Sequence, residues 1–418
     1  HIVGRRWTLL TDREGMPTKA AGVALVDSEG SLWYAGNGLF RQLGLGGVTN
    51  QTTRQGLPTE IVWSLCRDTS GRLWAGTDLG LAVQERGRWT LVPGSEKTAV
   101  FSVVALANGG VVGAGRPRSV IYVPPGGARA VPVPFPLDQD PTVQVVRIIL
   151  DLSGNPWVIG TSQICRLAPE RNTLVSRERP VTPEARYLRN AFASFQGRDG
   201  TMWFGTVGGL VSRTQGRWKR WTEANGLQSR SLYGVLEASD GTLLVSYYGA
   251  EGISRFKVEG DRLRLLRTYR AQREELPSDN VFSIHEDLQG RIWALTDVGA
   301  VLVLEDGFRV FGRAQGLVQQ DMVQNSFLSD ADGTLWFANA GGLACLDTRI
   351  WPWDLKIPRP IFQSIKFGGN PVGVGPSLRI EPWDNSLDLS LGFLSYSRGK
   401  AYALEVRLDG LDQTWRTE

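Results

Sequence analysis

The sequence predicts an all-β chain: an eight-bladed β-propeller followed by a truncated immunoglobulin-like β-sandwich. Three observations predict it. A short phrase recurs along the chain, its copies are evenly spaced, and the periodicity stops at a proline-rich break. The phrase is "ADGTLWFANAGGL", ending at Leu343; it returns as "RDGTMWFGTVGGL" ending at Leu210 and "TSGRLWAGTDLGL" ending at Leu81. Aligned on its tryptophan it has eight copies, at Trp33, Trp74, Val112, Trp157, Trp203, Leu244, Trp293 and Trp336. The steps are 41, 38, 45, 46, 41, 49 and 43 residues. That period suits four short strands per repeat, as in a propeller blade.

Each part of the phrase has a physical task. A run such as "IVWSLCRD" (Ile61 to Asp68) is β-rich and apolar, as a buried inner strand should be. The Asp/Ser-x-Gly step makes a hairpin, where glycine supplies the positive φ. "LWAGT" and "MWFGT" are second strands, whose Trp fills the wedge between blades. "GLAVQ" and "GLVSR" are third strands; "RWTLV" and "RWKRW" are outer, more polar fourth strands. "RRWTLLTDREGMP" (Arg5 to Pro17) matches "GRWKRWTEANGLQ" (Gly216 to Gln228), a fourth strand with its exit loop. If that segment pairs near Cys345, the ring closes with eight blades and no exposed edge. A seven-bladed ring with one repeat displaced is the alternative.

The propeller is expected over residues 1–348, a linker over 349–360, marked by Pro352, Pro358 and Pro360, and a partial sandwich over 361–418. "SLDLSLGFLSY" alternates apolar and polar residues, as a half-buried strand does. Those last residues are few for a complete sandwich. The chain opens on His1 without Met and is expected to be a fragment.

Composition is that of an ordinary globular protein, with 42% hydrophobic and 21% charged residues. A net charge of +4 and the lack of a basic stripe speak against nucleic acid as a partner. Of the 46 basic residues, 39 are Arg, which favours bidentate pairing with carboxylates and stacking on aromatics. Cys66, Cys165 and Cys345 each lie in an apolar run and read as small buried hydrophobes. No run approaches the ~18 apolar residues of a membrane helix.

The pattern D-x-x-G-x-L-W-x-G-T-x-x-G-L resembles the repeat of two-component regulator propellers. "NSLDLSLGFLSYS" and "VRLDGLDQTW" resemble the three-tyrosine domain that follows those propellers in sensor proteins. Tyr396 takes the first tyrosine position of that domain, while Leu404 and Val406 stand at the next two. The resemblance implies the extracytoplasmic, periplasmic region of a bacterial receptor of histidine-kinase or diguanylate-cyclase type. It also implies attachment to the membrane only through a downstream helix, and a homodimer formed through the sandwich.

In a propeller the loops from fourth to first strand and from second to third strand share one face, the mouth of the channel. Positions that break the repeat there are candidate ligand contacts. Blade "GAGRPRSV" puts Arg116 and Arg118 where Thr and its followers usually stand. "VSYYGAEGI" puts Tyr247 and Tyr248 at the Gly-Thr step. Nearby loops add Arg186, Tyr187, Arg189 and Arg230. Together they suggest a pocket for a small anionic or oligosaccharide ligand; the plainer reading is repeat drift in solvated loops. Trp7, Trp89, Trp218 and Trp221 fall on fourth strands and are expected to pack rather than bind.

No catalytic set, cofactor motif or metal-ligand spacing is present. His1 and His285 are the only histidines, and His285 lies on an inner strand. Asp279, Asp297 and Asp321 sit on mouth loops and leave a glycosidase of two carboxylates open. The alternatives to a sensor are thus a carbohydrate-active enzyme and a propeller that scaffolds other proteins.

Overall fold

The computed structural model describes residues 2–3, 6–7, 22–26, 32–35, 39–42, 47–116, 119–133, 145–160, 164–171, 173–178, 191, 193–273, 275–305, 307–349, 360–372, 386–393, 405–407, 410, 414 and 416–417. By internal packing the chain divides into two units, His1–Trp351 and Pro352–Glu418.

In the first unit seven four-stranded antiparallel sheets form blades, each hydrogen-bonded in the order first to fourth strand. Their inner strands are Val62–Arg67, Ala99–Ala105, Val145–Leu150, Ala193–Gln196, Leu232–Glu237, Val281–Glu286 and Met322–Ser329, in blades 1 to 7. Six blades take all four strands from consecutive chain. Blade 7 takes Met322–Ser329, Thr334–Asn339 and Gly342–Asp347 from the end of the repeat, and its outer strand from Val48–Gln51.

That closure differs from the expected one. Thr49, not the Arg5 segment, lies opposite Cys345. Asn50 adds a lock, its Nδ2 donating to the carbonyl of Gly316 at 2.8 Å. The seam is buried: Leu65, Leu73 and Ala75 of blade 1 share a core with Ala338 and Leu343 of blade 7. The repeat at Trp33 is left outside the ring, as a separate three-stranded sheet of Val23–Val26, Leu32–Ala35 and Leu39–Gln42. The described residues therefore form the seven-bladed alternative with one repeat displaced. On that sheet Val23 and Leu39 are each 70% exposed. Ile2–Val3 and Arg6–Trp7 pair with each other.

The reason lies in an exit-loop signal that occurs more than once. After Val48–Gln51 comes Thr52, which caps a single 3₁₀ turn (Thr53–Gln55), then Gly56 in the left-handed region and buried Leu57. Blade 4 ends in the same way with Thr222, Gly226 and Leu227, and blade 6 with Gly312, Gly316 and Leu317. Glycine is required at Gly56: φ is +93° and a Cβ would stand 2.3 Å from the carbonyl oxygen of Trp89. Two segments thus carry fourth-strand chemistry. The one adjoining blade 1 reaches the seam with the shorter connection.

The phrase itself is a hydrogen-bonded unit. Asp68 accepts from the backbone N–H groups of Ser70 and Arg72, each at 2.9 Å. It also accepts from the indole N–H of Trp74, at 2.9 Å. Asp151–Trp157, Asp287–Trp293 and Asp330–Trp336 repeat that indole bond six residues apart, at 2.8–2.9 Å. The aspartate closes the hairpin and fixes the tryptophan, so that the ring fills the gap to the next blade. Trp74 and Trp293 are among the largest fully buried side chains.

In the second unit Pro360–Phe367 pairs with Asn370–Pro371 and with Leu387–Phe393, and Glu405–Val406 pairs with Arg416–Thr417. Tyr396 and Leu404 lie outside the described residues; Val406 is on a short strand. Among the described residues no helix is long and apolar enough to cross a membrane.

Candidate functional site

The start of each inner strand faces the hairpin between second and third strands, as Val62 does Thr77 in blade 1. These ends gather at the mouth of the channel. Here the ladder between first and second strands slips by one residue in five blades: at Trp63, Phe101, Val146, Tyr233 and Phe282. A bulge leaves its extra residue unpaired and re-aims the side chain. Four of the five are aromatic, and those four are partly exposed.

They form two clusters. On blades 1 and 2 the ring of Trp63 meets Phe101 edge to face, with centroids 5.4 Å apart. The indole N–H of Trp63 donates to Asp78 Oδ1 at 2.6 Å, and the Arg116 guanidinium lies 5.5 Å from the Phe101 ring centre. On blades 5 and 6 Tyr233 meets Phe282 edge to face at 6.0 Å and Tyr248 at 4.8 Å. Blades 3 and 4 separate the clusters on one side and blade 7 on the other. Beside the second cluster Asn280 Nδ2 donates to Asp297 Oδ2 at 3.0 Å, while Asp297 Oδ1 is buried without a hydrogen-bond partner. A buried unpaired acceptor is costly unless a donor reaches it.

Blade 7 departs furthest from the pattern. Its inner ladder breaks between Met322 and Phe327. Within the break Gln324 Nε2 donates to the carbonyl of Tyr233 at 3.1 Å, reaching past blade 6 to blade 5. Asn325 holds φ at +61° and donates its N–H to Ser283 Oγ at 3.4 Å.

The residues expected at the site fare differently. Arg116 and Tyr248 are exposed at the mouth, Tyr248 at 53%. Tyr247 is a correction: it is fully buried in the core between blades 4 and 5, and burial pushes its phenol up to about 12. It stands where other blades carry a buried Thr, such as Thr77, Thr206 and Thr296. Arg230 is exposed but paired with Glu223 of its own loop, Nε donating to the two carboxylate oxygens at 2.9 and 2.6 Å. Arg118, Arg186, Tyr187 and Arg189 lie outside the described residues.

Trp63, Phe101, Tyr233 and Phe282 are the residues that sequence reasoning missed. A signal existed, since each stands eleven residues before the tryptophan position of its repeat, as Val146 and Phe192 also do. Bulges are invisible in a periodicity of two, which assigns these residues to an ordinary buried strand.

Chemically the mouth offers flat apolar faces rimmed by Arg, Asp, Asn and Gln. That is a surface for stacking and hydrogen bonding. Among the described residues no group of His, Cys, Asp and Glu is arranged to hold a metal ion. His285 stacks on Phe327 with centroids 4.7 Å apart. Burial, with the charge of Arg147 second, holds its imidazole down at about 3. Cys66, Cys165 and Cys345 are free thiols, and burial pushes Cys66 and Cys345 up.

Residues 56–78, from the exit loop to the second strand of blade 1, match the model of the two component regulator propeller. Among solved structures the chain is similar to the extracellular domain of a putative hybrid two component system from B. thetaiotaomicron. That match has 20% identity and a TM-score of 0.66, and covers 96% of this chain and 56% of that one. A second such domain from the same organism matches at 14% identity and a TM-score of 0.58, covering 96% and 58%. A virginiamycin B lyase from Staphylococcus aureus matches over 72% of this chain and 98% of its own, at 13% identity and a TM-score of 0.53. At these identities the likeness is one of fold. The chain spans little more than half the length of the two extracellular domains. No curated protein matches the sequence.

Proposed function

We propose that this chain is the extracytoplasmic ligand-sensing region of a bacterial transmembrane signalling receptor. Its ligand, a small molecule or an oligosaccharide, rests on the aromatic mouth of the propeller. The observation that carries the reading is the set of bulge aromatics, Trp63 with Phe101 and Tyr233 with Phe282, presented on one face. The fold's likeness to extracellular domains of hybrid two component systems supports the sensing role. A ring set edge to face with its neighbour keeps one flat face open, and sugar rings and other planar groups stack there. Asp78, Asp297 and Arg116 would then read hydroxyl and acidic groups at the rim. For signalling, the ligand must favour one arrangement of the receptor over another. A homodimer through the second unit, with a membrane helix beyond it, would pass that preference on.

The test is a thermal-shift screen against oligosaccharides and small organic acids, with product analysis of each hit. A sensor predicts a concentration-dependent rise in Tm with the ligand recovered intact. Trp63→Ala should weaken that binding about tenfold, the loss of one stacking face. The lyase neighbours make an enzyme the second reading. A hit that is consumed, with the streptogramin quinupristin included in the screen, would decide for it.

A further inference from the structure

We infer that the aromatic cluster of blades 5 and 6 is a cation subsite, where Tyr233, Tyr248, Phe282 and Asp297 take the primary ammonium group of an amino sugar. This rests on the reading of the mouth as a ligand site and names the group that one of its two clusters recognises.

Two positions of the repeat build the clusters. Eleven residues before the tryptophan position stand Trp63, Phe101, Tyr233 and Phe282; four residues after it stand Asp78, Arg116, Tyr248 and Asp297. In each blade the two directly follow a laddered pair: Val62 opposite Thr77, Val100 opposite Gly115, Leu232 opposite Tyr247 and Val281 opposite Thr296. They are therefore neighbours, and three blades show the contact. Asp78 Oδ1 accepts from the Trp63 indole at 2.6 Å, the Arg116 guanidinium lies 5.5 Å from the Phe101 ring centre, and the rings of Tyr248 and Tyr233 are 4.8 Å apart. In blade 6 the same register sets Asp297 beside Phe282.

The two clusters differ in what they already hold. On blades 1 and 2 the protein supplies its own complement: a donor for the carboxylate and a cation for the ring. On blades 5 and 6 the rings and the carboxylate are present without either. Asn280 Nδ2 engages Asp297 Oδ2 at 3.0 Å, whereas Oδ1 is buried with no hydrogen-bond partner. Among the described residues no cation pairs with Asp297. Arginines of the neighbouring loops are engaged elsewhere, Arg230 with Glu223 at 2.6 Å and Arg270 with Glu251 at 3.9 Å. Asp297 as a whole is half-buried, so its carboxylate lies just beneath the surface.

The missing partner has a definite chemistry. Aromatic faces attract a cation. A carboxylate oxygen without a donor calls for an N–H, and a charged one makes the stronger bond. A primary ammonium group meets both demands. A hydroxyl or an acetamido N–H meets only the second, and a quaternary ammonium only the first. A sugar ring stacked on Tyr248, which is 53% exposed, would bring its amino substituent to Asp297.

The test titrates two trisaccharides, the glucosamine trimer and its fully N-acetylated counterpart, into the full chain by calorimetry in mildly acidic buffer. The amine should bind about tenfold tighter than the acetamide. Asp297→Asn, which keeps the shape of the side chain, should level the two. Tyr248→Ala should weaken the amine about tenfold, while Asp78→Asn should leave the preference unchanged. A preference that survives Asp297→Asn, or that is lost in Asp78→Asn, overturns the subsite, as does failure of both trimers to bind. Equal binding of the two by the parent, weakened by Trp63→Ala or Tyr248→Ala, overturns the subsite and leaves the mouth standing. Binding that neither of those aromatic variants alters overturns the mouth reading and the subsite with it.

Discussion

The indole N–H of Trp74 donates to Oδ2 of Asp68, six residues earlier, and the same carboxylate closes the hairpin between them. One side chain thereby links a turn to the packing of the neighbouring blade. Asp287→Ala should cost about 2–4 kcal/mol, because it leaves the buried indole N–H of Trp293 and the turn amides unpaired. Trp293→Ala should cost about 3–5 kcal/mol through the cavity it opens. Urea unfolding of the two single variants and the double variant would show the effects to be less than additive.

Acid should weaken the fold through Asp68. Burial alone would raise the Asp68 carboxyl, but hydrogen bonds from Ser70, Trp74 and Arg72 outweigh it and hold the group at about 2, against an ordinary 3.8. The folded state then binds fewer protons than the unfolded chain across that interval. Stability is full above pH 3.8 and falls as the pH drops through 2. His285 adds to this at higher pH: its folded value of about 3 lies below the ordinary 6.5, so its share is lost as the pH falls below 6.5. Unfolding midpoints measured from pH 7 to pH 2 should decline in those two stages. In Asp68→Asn the lower stage should shrink.

The buried imidazole of His285 has its own signature. The imidazole of His285 should not titrate between pH 5 and 8 when followed by NMR. Arg147→Gln should move its titration upward, since one of the two causes of its depression is gone. A titration unchanged by that substitution would mean that burial alone holds the imidazole down.

Closure depends on four residues. Removing 1–42 should leave the melting of the ring nearly unchanged, because the displaced sheet contributes no strand to a blade. Asn50→Ala should cost about 1–2 kcal/mol through the orphaned Gly316 carbonyl. Deleting Val48–Gln51 should expose the edge of Gly342–Asp347 and cause association, seen as a concentration-dependent mass in light scattering.

What was legible in the sequence follows the physics of each signal. The Trp register marks all seven four-stranded sheets, since a residue that fills a wedge must recur at the blade period, but it also marks the repeat at Trp33, which forms a separate three-stranded sheet. The order of strands within a blade followed from the alternation of turns and apolar runs. Closure was harder, because Arg5–Pro17 and Val48–Pro58 carry the same exit-loop chemistry and only pairing separates them. Arg116 and Tyr248, both breaks in the repeat, are exposed at the mouth. Tyr247 differs because the Thr position is itself buried, as Thr77, Thr206 and Thr296 are, so the aromatic there joins the core instead of the mouth. Trp63 and Phe101 were hidden because a one-residue bulge shifts a side chain to another face without altering the composition of the strand.

The pairing of Thr49 with Cys345 also sets an order of events during synthesis. The outer strand of blade 7 leaves the ribosome first and its partners last. Bringing such distant segments together costs about 5 kcal/mol of chain entropy, which only the completed seam repays. Until then the nascent chain is an open arc with two adhesive ends, the state most exposed to chaperones and to misassembly with its own copies. A chain halted before Met322 has blades but no lumen. Closure of the ring therefore reports that synthesis has passed Asp347.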